Sequence, residues 1–312
     1  MSKNKILITG SKGLIGSALK KRLHTFDLHV KGIDNSYPIN HLEYGDIQDI
    51  ELLKKLVYEC SGIIHLAGIS RVITGETNPS LCWSLNVDST KKLLEIAKNS
   101  PSNPWVIYAS SREVYGQQEK LPVKENASLL PLNVYAKSKL AAEKLMLSYR
   151  KTGLQVAVIR FSNVYGSPYD HSDRVIPAFC KAAAFGGIIR IDGAHNTFDF
   201  TYIDDVITGV VKVINKLQSG CFDLPILHFS SGQSTTLLQV ATLAKSISDQ
   251  KIEFLHTPSR SFDVSTFCGD PSLANKVLDW RTKINIKEGI SRLVKDFKIE
   301  MFHYNSLSSC SI

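Results

Sequence analysis

Short apolar runs alternate with amphipathic stretches through the first half of the chain. The runs are about five residues long, the usual length of a strand, and predict strands at 5–9, 28–33, 62–66, 105–109 and 156–160. Between them, apolar positions recur at helical spacing and predict helices at 14–23, 52–58, 81–99 and 135–149. Apolar strands separated by helices are typical of a parallel sheet that is covered on both faces. The pattern therefore predicts an α/β fold with a Rossmann-type doubly wound parallel sheet.

The pattern becomes less regular in the second half of the chain. Helical spacing returns in two stretches, 175–185 and 237–247, and proline and glycine interrupt much of the rest. We therefore predict a Rossmann-type domain over residues 1–165, to which 199–224 crosses back, and a smaller mixed α/β domain over 166–312.

The 312-residue chain has a formal net charge of +8, with 37 Lys and Arg against 29 Asp and Glu. Such a charge is compatible with nucleic acid or with an anionic small molecule as a partner. The basic residues are scattered singly and in pairs, whereas a nucleic-acid footprint is a patch or a stripe. We therefore expect a generally basic surface and no nucleic-acid partner.

Six cysteines are spread along the chain without a Cys-x-x-Cys pair or a regular spacing. This distribution argues against a disulfide framework or a zinc site, and it is typical of buried thiols in a reducing compartment. No apolar run approaches the roughly 18–20 residues needed to span a bilayer, and no apolar signal segment stands at the N-terminus. We expect a cytoplasmic protein with no bound metal and no membrane partner.

Three glycines, Gly10, Gly13 and Gly16, follow the first predicted strand and open the first predicted helix. Glycine permits a tight turn and the close approach of a pyrophosphate, and the helix N-terminus offers free amides and a partial positive charge. Asp34 ends the second predicted strand, where a carboxylate binds the ribose hydroxyls of a dinucleotide and repels a 2′-phosphate. The turn thus predicts NAD rather than NADP as the cofactor. Asp46 is compatible both with an adenine contact and with a simple turn.

Tyr135 and Lys139 are four positions apart in a predicted helix and therefore share one face of it. An ammonium beside a phenol favours the phenolate, so we expect Lys139 to lower the pKa of Tyr135 and make it a base near neutral pH. Ser110 and Ser111 follow a predicted strand, at the sheet edge where ligands bind in open α/β folds. Ser111, Tyr135 and Lys139 together predict proton transfer at a hydroxyl group.

These features belong to a longer ordered set of motifs. The set comprises the glycine turn, His65-Leu-Ala-Gly68, Asn86-Val87, Ser110-Ser111-x-Glu113-Val-Tyr-Gly116, Tyr135-x-x-x-Lys139, Arg160-Phe-Ser-Asn163-Val-Tyr-Gly166 and Asp199-Phe-Thr-Tyr-Ile-Asp-Asp205. In this order the motifs resemble those of the extended short-chain dehydrogenase/reductases that act on nucleotide sugars. The resemblance runs from residue 5 to about residue 295. It is very specific for the family and much less specific for the reaction.

The resemblance implies a tightly held NAD, a nucleotide-sugar substrate in the second domain, and catalysis by Ser111, Tyr135 and Lys139. A sugar hydroxyl would be oxidised to a transient ketone and hydride returned to its opposite face, as in a UDP-glucose 4-epimerase. The implied cofactor-binding residues are Gly10, Gly13, Leu14, Ile15, Gly16, Asp34, Asp46, Ile47, Leu66, Ala67, Asn86, Tyr135 and Lys139. The implied substrate-binding residues are Ser111, Arg112, Glu113, Asn163, Asn196 and Arg260. Family members often dimerise through a four-helix interface that contains the tyrosine helix, so a homodimer is expected through 81–99 and 135–149.

The sequence departs from the family pattern at two positions. Arg112 stands where the dehydratases of the family have the aspartate that expels water, and an arginine cannot donate that proton. Phe198 stands where many relatives have an arginine that grips the diphosphate, which leaves Arg174, Lys181 and Arg190 as candidate cations beside Arg260. Arg112 could instead anchor a sugar that carries a carboxylate.

The leading hypothesis from the sequence is an NAD-dependent nucleotide-sugar epimerase. An NAD(P)-dependent nucleotide-sugar reductase or dehydrogenase stays open as an alternative, as does a decarboxylase that uses Glu113. A non-catalytic NAD-sensing protein is a minor alternative, because both Tyr135 and Lys139 are present.

Overall fold

The computed structural model describes residues 5–26, 28–260 and 264–309, without the side chains of 301–309. Its strands are β1 (Lys5–Thr9), β2 (His29–Ile33), β3 (Gly62–His65), β4 (Trp105–Ser111), β5 (Val156–Phe161), β6 (Asn163–Tyr165), β7 (Gly187–Asp192), β8 (Thr197–Tyr202), β9 (Leu227–Phe229), β10 (Ser234–Thr236) and β11 (Ile252–Thr257). Its α-helices are α1 (Leu14–Leu23), α2 (Ile50–Tyr58), α3 (Val72–Thr77), α4 (Pro79–Trp83), α5 (Ser89–Lys98), α6 (Val134–Lys151), α7 (Val175–Phe185), α8 (Ile203–Gln218), α9 (Leu237–Ile247), α10 (Ser272–Leu278) and α11 (Ile286–Ser309).

The central sheet has six parallel strands in the order β2-β1-β3-β4-β5-β9. Strand β2 lies on one side of β1 and β3 on the other, so the side of the sheet on which successive strands are added changes at β1. In open α/β sheets, ligands bind in the crevice at such a point, outside the carboxyl ends of the strands. The predicted Rossmann-type sheet is confirmed.

Both faces of this sheet are covered because alternate residues of each strand point to opposite sides. Ile6 and Ile8 of β1 pack in a core with apolar residues of α1 and α8. Leu7, between them, packs in a second core with α2, α5 and α6. The apolar run of β1 therefore serves two layers at once, which explains why it lacks the polar alternation of a half-exposed strand.

Smaller elements from the second half of the chain complete the fold. Strands β6, β8 and β10 form a three-stranded sheet, and β7 pairs in parallel with β11. Helix α8, which follows β8, returns to the central sheet and shares its core with α1. Every helix in the described part of the chain is too short or too polar to cross a membrane.

Most predicted elements are present, and one of them contains a turn that was not predicted. The helices predicted at 175–185 and 237–247 are confirmed as α7 and α9. The helix predicted over 81–99 is confirmed as an unbroken helical stretch, but α4 and α5 are joined by a π-helical turn at Ser84–Asp88 that was not predicted. The wider turn carries Asn86, whose side chain is hydrogen-bonded to the loop after β3. A single π-helical turn often marks a functional site.

Candidate active site

A cleft of about 1280 Å³ lies between the carboxyl ends of the parallel strands and the second-half elements. Ser111, Tyr135 and Lys139 all line it, although β4 supplies the first and α6 the other two. The other predicted site residues that line it are Gly10, Gly13, Leu14, Ile15, Gly16, Asp34, Ile47, Leu66, Ala67, Arg112, Glu113, Asn163, Asn196 and Arg260. The fold thus brings together residues that are far apart in sequence.

Two residues that were predicted to contact the cofactor, Asp46 and Asn86, do not line the cleft. The Asp46 carboxylate accepts a hydrogen bond from the amide of Gln48 at 2.8 Å, which is the turn role that the sequence left open. Asn86 is buried, accepts from the amide of Ile69 at 2.8 Å and donates to Ser138 Oγ at 2.9 Å. Asn86 thus holds the loop after β3 against α6, and its contact with the cofactor stays a prediction.

The glycine turn has the shape that a pyrophosphate needs. Gly10 has φ +74°, and a Cβ at this position would lie 2.8 Å from the amide nitrogen of Ala67. A Cβ on Gly16 would lie 2.2 Å from the carbonyl oxygen of Gly10. Any larger residue at either position would displace backbone, so the turn keeps the N-terminus of α1 open toward the cleft. These residues fit the phosphates of a dinucleotide.

Asp34 supplies the carboxylate expected beside this turn. One of its oxygens accepts from the amide of Lys12 at 3.0 Å and the other from the amide of Ser36 at 2.9 Å. The carboxylate is therefore fixed next to the glycine turn and lines the cleft. A negative charge fixed here favours ribose hydroxyls over a 2′-phosphate, which fits NAD.

Tyr135 is buried in the wall of the cleft, with 7% of its surface exposed. Burial raises the pKa of its phenol to about 12, because the phenolate would lose hydration, while the Ser111 hydroxyl and Arg174 act in the lowering direction. The expectation that Lys139 brings this pKa down toward neutral is therefore wrong for the protein alone. The loss of hydration outweighs the nearby charges.

Lys139 is directed to the sheet as well as to the cleft. Its ammonium donates to the carbonyl oxygen of Ala109 at 2.9 Å and lies 5.9 Å from the centre of the Tyr135 ring. Burial lowers the pKa of Lys139 to about 8, with Glu143 acting in the opposite direction. Sequence spacing correctly placed the two side chains on one face, but it did not reveal this carbonyl partner.

We expect Lys139→Met to stabilise the protein at neutral pH while it impairs catalysis. The lowered pKa of Lys139 corresponds to a charging cost of about 3 kcal/mol, and losing the hydrogen bond to Ala109 offsets about 1 kcal/mol. The free energy of unfolding at pH 7 should therefore rise by about 2 kcal/mol, measured by urea titration.

The pH dependence supplies a further check on the Lys139→Met variant. Because the folded pKa of Lys139 is about 8 and the model value is 10.5, the unfolded chain binds more protons between these values. Wild-type stability should gain from this group as pH rises through that window, so the advantage of the variant is largest below pH 8 and shrinks above it. Lys137→Met, an exposed position on the same helix, should show neither effect. A variant that is destabilised at pH 7 would contradict the prediction.

The two positions that depart from the family pattern are in contact. The Arg112 guanidinium lies 5.0 Å from the centre of the Phe198 ring and forms an ion pair with Glu113 at 2.7 Å. Arg112 Nε also donates to Asn163 Oδ1 at 3.3 Å. In the sequence Arg112 and Phe198 are separate departures, because no local pattern indicates that positions 86 residues apart meet in the fold.

A second cationic group lines the cleft at the ends of β7 and β11. Asp192 accepts from Arg190 Nε at 2.7 Å and from Arg260 Nη2 at 3.1 Å. Nearby, Ser259 Oγ donates to Asn196 Oδ1 at 3.2 Å. Asp192, which sequence analysis missed, therefore holds both arginines, and its position at a strand end was the one available signal.

The remaining candidate cations divide between the cleft and the outer surface. Arg174 lines the cleft, where it donates to Ser70 Oγ at 3.3 Å and lies 3.6 Å from Asp170. Lys181 is exposed on α7 and does not line the cleft. Lys181 is therefore removed from the candidates for diphosphate binding.

A parallel sheet with a glycine turn at β1, and a serine, tyrosine and lysine beside that turn, defines a class of enzyme. The chain is an NAD-dependent oxidoreductase of the extended short-chain dehydrogenase/reductase type. It belongs to the NAD dependent epimerase/dehydratase family, whose model matches residues 6–222.

Relatives of known name agree with this membership. The chain is 29% identical to the UDP-glucuronate 4-epimerase of Thermodesulfobacterium geofontis, over 92% of this chain and 94% of the relative. It superposes with a TM-score of 0.85 and 25% identity on a UDP-glucuronic acid 4-epimerase from Bacillus cereus in complex with UDP-glucuronic acid and NAD, covering 95% of this chain and 99% of that one. A UDP-glucose 4-epimerase from Thermotoga maritima, solved with UDP-glucose, gives a TM-score of 0.87 at 25% identity with the same coverage.

Proposed function

We propose that this protein is an NAD-dependent UDP-sugar 4-epimerase. The observation that carries the proposal is the convergence of Ser111, Tyr135 and Lys139 on one cleft while Arg112 occupies the position of the dehydratase acid. The named relatives, which are 4-epimerases of UDP-sugars, support the same reaction.

Each side chain of the site has a separate role in the proposed reaction. The Tyr135 oxygen takes the proton of the sugar hydroxyl as that carbon is oxidised and returns it when the ketone is reduced. Ser111 binds the same sugar oxygen, and its own oxygen is oriented by the amide of Glu113 at 3.2 Å. Lys139 places a positive charge beside the phenol and would hold the nicotinamide ribose. NAD, when bound, supplies hydride acceptance and donation, and the glycine turn and Asp34 would hold it.

The proposed reaction predicts a specific product pattern. Incubation with UDP-glucose, UDP-galactose or UDP-glucuronate should yield the 4-epimer without net accumulation of reduced nicotinamide, as followed by proton NMR and absorbance. In D₂O the products should carry no solvent deuterium at C4, because the same hydride returns. Steady formation of reduced nicotinamide would instead indicate a dehydrogenase, and deuterium at C5 would indicate elimination or decarboxylation.

We further propose that the enzyme is a homodimer that pairs through the surface of α4, α5 and α6. Leu81 and Trp83 of α4 support this, because 40% and 44% of these large apolar side chains are exposed. Light scattering should give twice the mass of 34.6 kDa, and Trp83→Asp should shift it toward one chain. A monomeric wild type at micromolar concentration would exclude this arrangement.

The domain division at residue 165 and the cytoplasmic location also stand as proposals. Helix α8 shares its core with α1, which supports the crossing of 199–224 back to the first domain. The five cysteines in the described part of the chain are all unpaired, which supports a reducing compartment.

A further inference from the structure

Arg112 holds a buried charge beside the reacting centre. It lines the cleft one residue after Ser111, with only 7% of its surface exposed. Its guanidinium packs against two rings, with centres 5.0 Å away for Phe198 and 5.5 Å away for Phe267. A cation that is enclosed in this way has lost most of its hydration, so its remaining hydrogen-bond donors are valuable to any acceptor that reaches them.

The protein provides hydrogen-bond acceptors for only part of this guanidinium. Nη2 pairs with Glu113 at 2.7 Å, and Nε donates to Asn163 at 3.3 Å. Nη1 is buried and has no hydrogen-bond partner among the described residues. An unsatisfied buried donor calls for an explanation, and here the donor belongs to a residue that lines the substrate cleft. Arg112 Nη1 can therefore donate hydrogen bonds to one more anionic oxygen.

Glu113 pairs with only one of the two terminal nitrogens of Arg112. Its other oxygen accepts from Asn133 Nδ2 at 3.2 Å, so the carboxylate is held between Asn133 and one terminal nitrogen of Arg112. The second terminal nitrogen of Arg112, which carries two N–H groups, is therefore left without an acceptor among the described residues.

We propose that Arg112 binds a carboxylate on the sugar carbon next to the reacting hydroxyl, so that the substrates are UDP-uronic acids. This inference rests on the proposed 4-epimerase function. Ser111 and Tyr135 fix the position of the C4 oxygen, and the neighbouring residue Arg112 can reach the group attached at C5. In a uronic acid that group is a carboxylate, the partner for which a guanidinium is best suited.

The same contact protects the reaction intermediate. Oxidation at C4 turns a uronic acid into a β-keto acid, in which the C5–C6 bond can break. Its electron pair then forms the C4–C5 enolate, C6 leaves as carbon dioxide, and C5 afterwards takes a proton. The negative charge leaves the carboxylate during this step. A guanidinium that stabilises the carboxylate therefore raises the barrier to decarboxylation. Arg112 thus selects the substrate and retains its carboxylate.

The test compares two substrates that share the same nucleotide and diphosphate. UDP-glucuronate carries the carboxylate and UDP-glucose does not, so the ratio of their kcat/KM values isolates the group at C5. The purified enzyme with its cofactor is assayed as wild type, Arg112→Ser and Arg112→Lys, with Arg22→Ser on the exposed face of α1 as the control. Products are separated as epimer and UDP-pentose.

Wild type should favour UDP-glucuronate, and Arg112→Ser should lower the ratio of kcat/KM for UDP-glucuronate to kcat/KM for UDP-glucose by about 30-fold. Arg112→Lys should recover part of the loss, because it keeps the charge without the planar fork. Arg112→Ser should also release UDP-pentose and carbon dioxide from UDP-glucuronate. Equal losses for the two sugars, or a wild-type preference for UDP-glucose, would overturn the inference and leave the epimerase function standing. A wild type that epimerises neither sugar would overturn the function itself.

Discussion

Tyr135→Phe should reduce kcat for epimerisation by about 1000-fold without unfolding the protein. Removal of one buried hydroxyl deletes the only group that the proposed mechanism uses to take the sugar proton. The ring still fills the same space, since Tyr135 is buried against the wall of the cleft. The amount of NAD retained through purification and the urea midpoint should stay near those of wild type, which separates chemistry from folding.

Two measurements sharpen this result. Tyr149→Phe, on the outer part of the same helix α6, removes a hydroxyl outside the cleft and should keep the wild-type rate. Because burial raises the pKa of Tyr135 above its ordinary value, its ionised fraction and the wild-type rate should increase as pH rises through neutrality. The residual rate of Tyr135→Phe should not follow pH in this way. An unchanged kcat would show that another group takes the proton and that the assigned mechanism is incorrect.

Glu143→Leu should cost about 3–5 kcal/mol of unfolding free energy, the largest stability effect that we expect. Glu143 and Arg160 are only 1% and 2% exposed and form a two-point pair, with Arg160 Nε at 2.9 Å from one carboxylate oxygen and Nη2 at 2.7 Å from the other. Ser110 also donates to this carboxylate, and Arg160 Nη1 donates to the Tyr115 hydroxyl at 3.1 Å. Replacing the carboxylate leaves a buried arginine without its counter-charge.

A double variant separates the loss of the pair from the burial of an uncompensated charge. Glu143→Leu with Arg160→Met removes both charges and should recover a large part of the stability, because paired buried charges carry a desolvation cost of their own. Glu95→Gln, which breaks the exposed pair between Lys91 and Glu95 at 3.9 Å, should cost less than about 0.5 kcal/mol. Urea titration of the four proteins gives these differences. A Glu143→Leu cost as small as that of Glu95→Gln would mean that Arg160 finds another partner.

The position of this pair relates stability to function. Tyr135, Lys139 and Glu143 follow one another at intervals of four residues along α6, and all three are buried. Glu143 acts to raise the pKa of Lys139 against the effect of burial. One face of the helix therefore carries the two proposed catalytic groups and also anchors the helix on β4 and β5 through Ser110 and Arg160. Replacement of Glu143 should consequently change both the urea midpoint and the position of Lys139.

Local patterns were sufficient for much of the fold and the site. Apolar runs and helical spacing identified β1, α7 and α9, because a single period holds through each element. The helix over 81–99 was predicted correctly, but its π-helical turn was not, because periodicity cannot show that Asn86 is hydrogen-bonded to a loop from another part of the chain. Asn86 was assigned to the cofactor, and no local pattern indicated that it also holds that loop.

Charge and burial were harder to predict than position. The four-residue spacing correctly placed Tyr135 and Lys139 on one face, but their pKa values depend on how much water the fold removes. Burial raises the pKa of Tyr135 to about 12 and lowers the pKa of Lys139 to about 8, effects that no spacing rule contains. The ion pairs of Arg190 and Arg260 were equally hard to predict, since Asp192 joins the two arginines only after β7 has paired with β11.

The sequence by itself determined the Rossmann-type fold, and it predicted the glycine turn with Asp34 and the serine, tyrosine and lysine that line the cleft. These depend on short-range geometry, namely the periods of helix and strand and the conformations open to glycine. Only the tertiary structure decided how the two departures from the family pattern are related. Arg112 lies on the Phe198 ring with one nitrogen unpartnered, because β4 and β8 bring distant positions to the same cleft. Contacts between distant strands and the exclusion of water arise only when the chain folds, so local sequence patterns do not contain them.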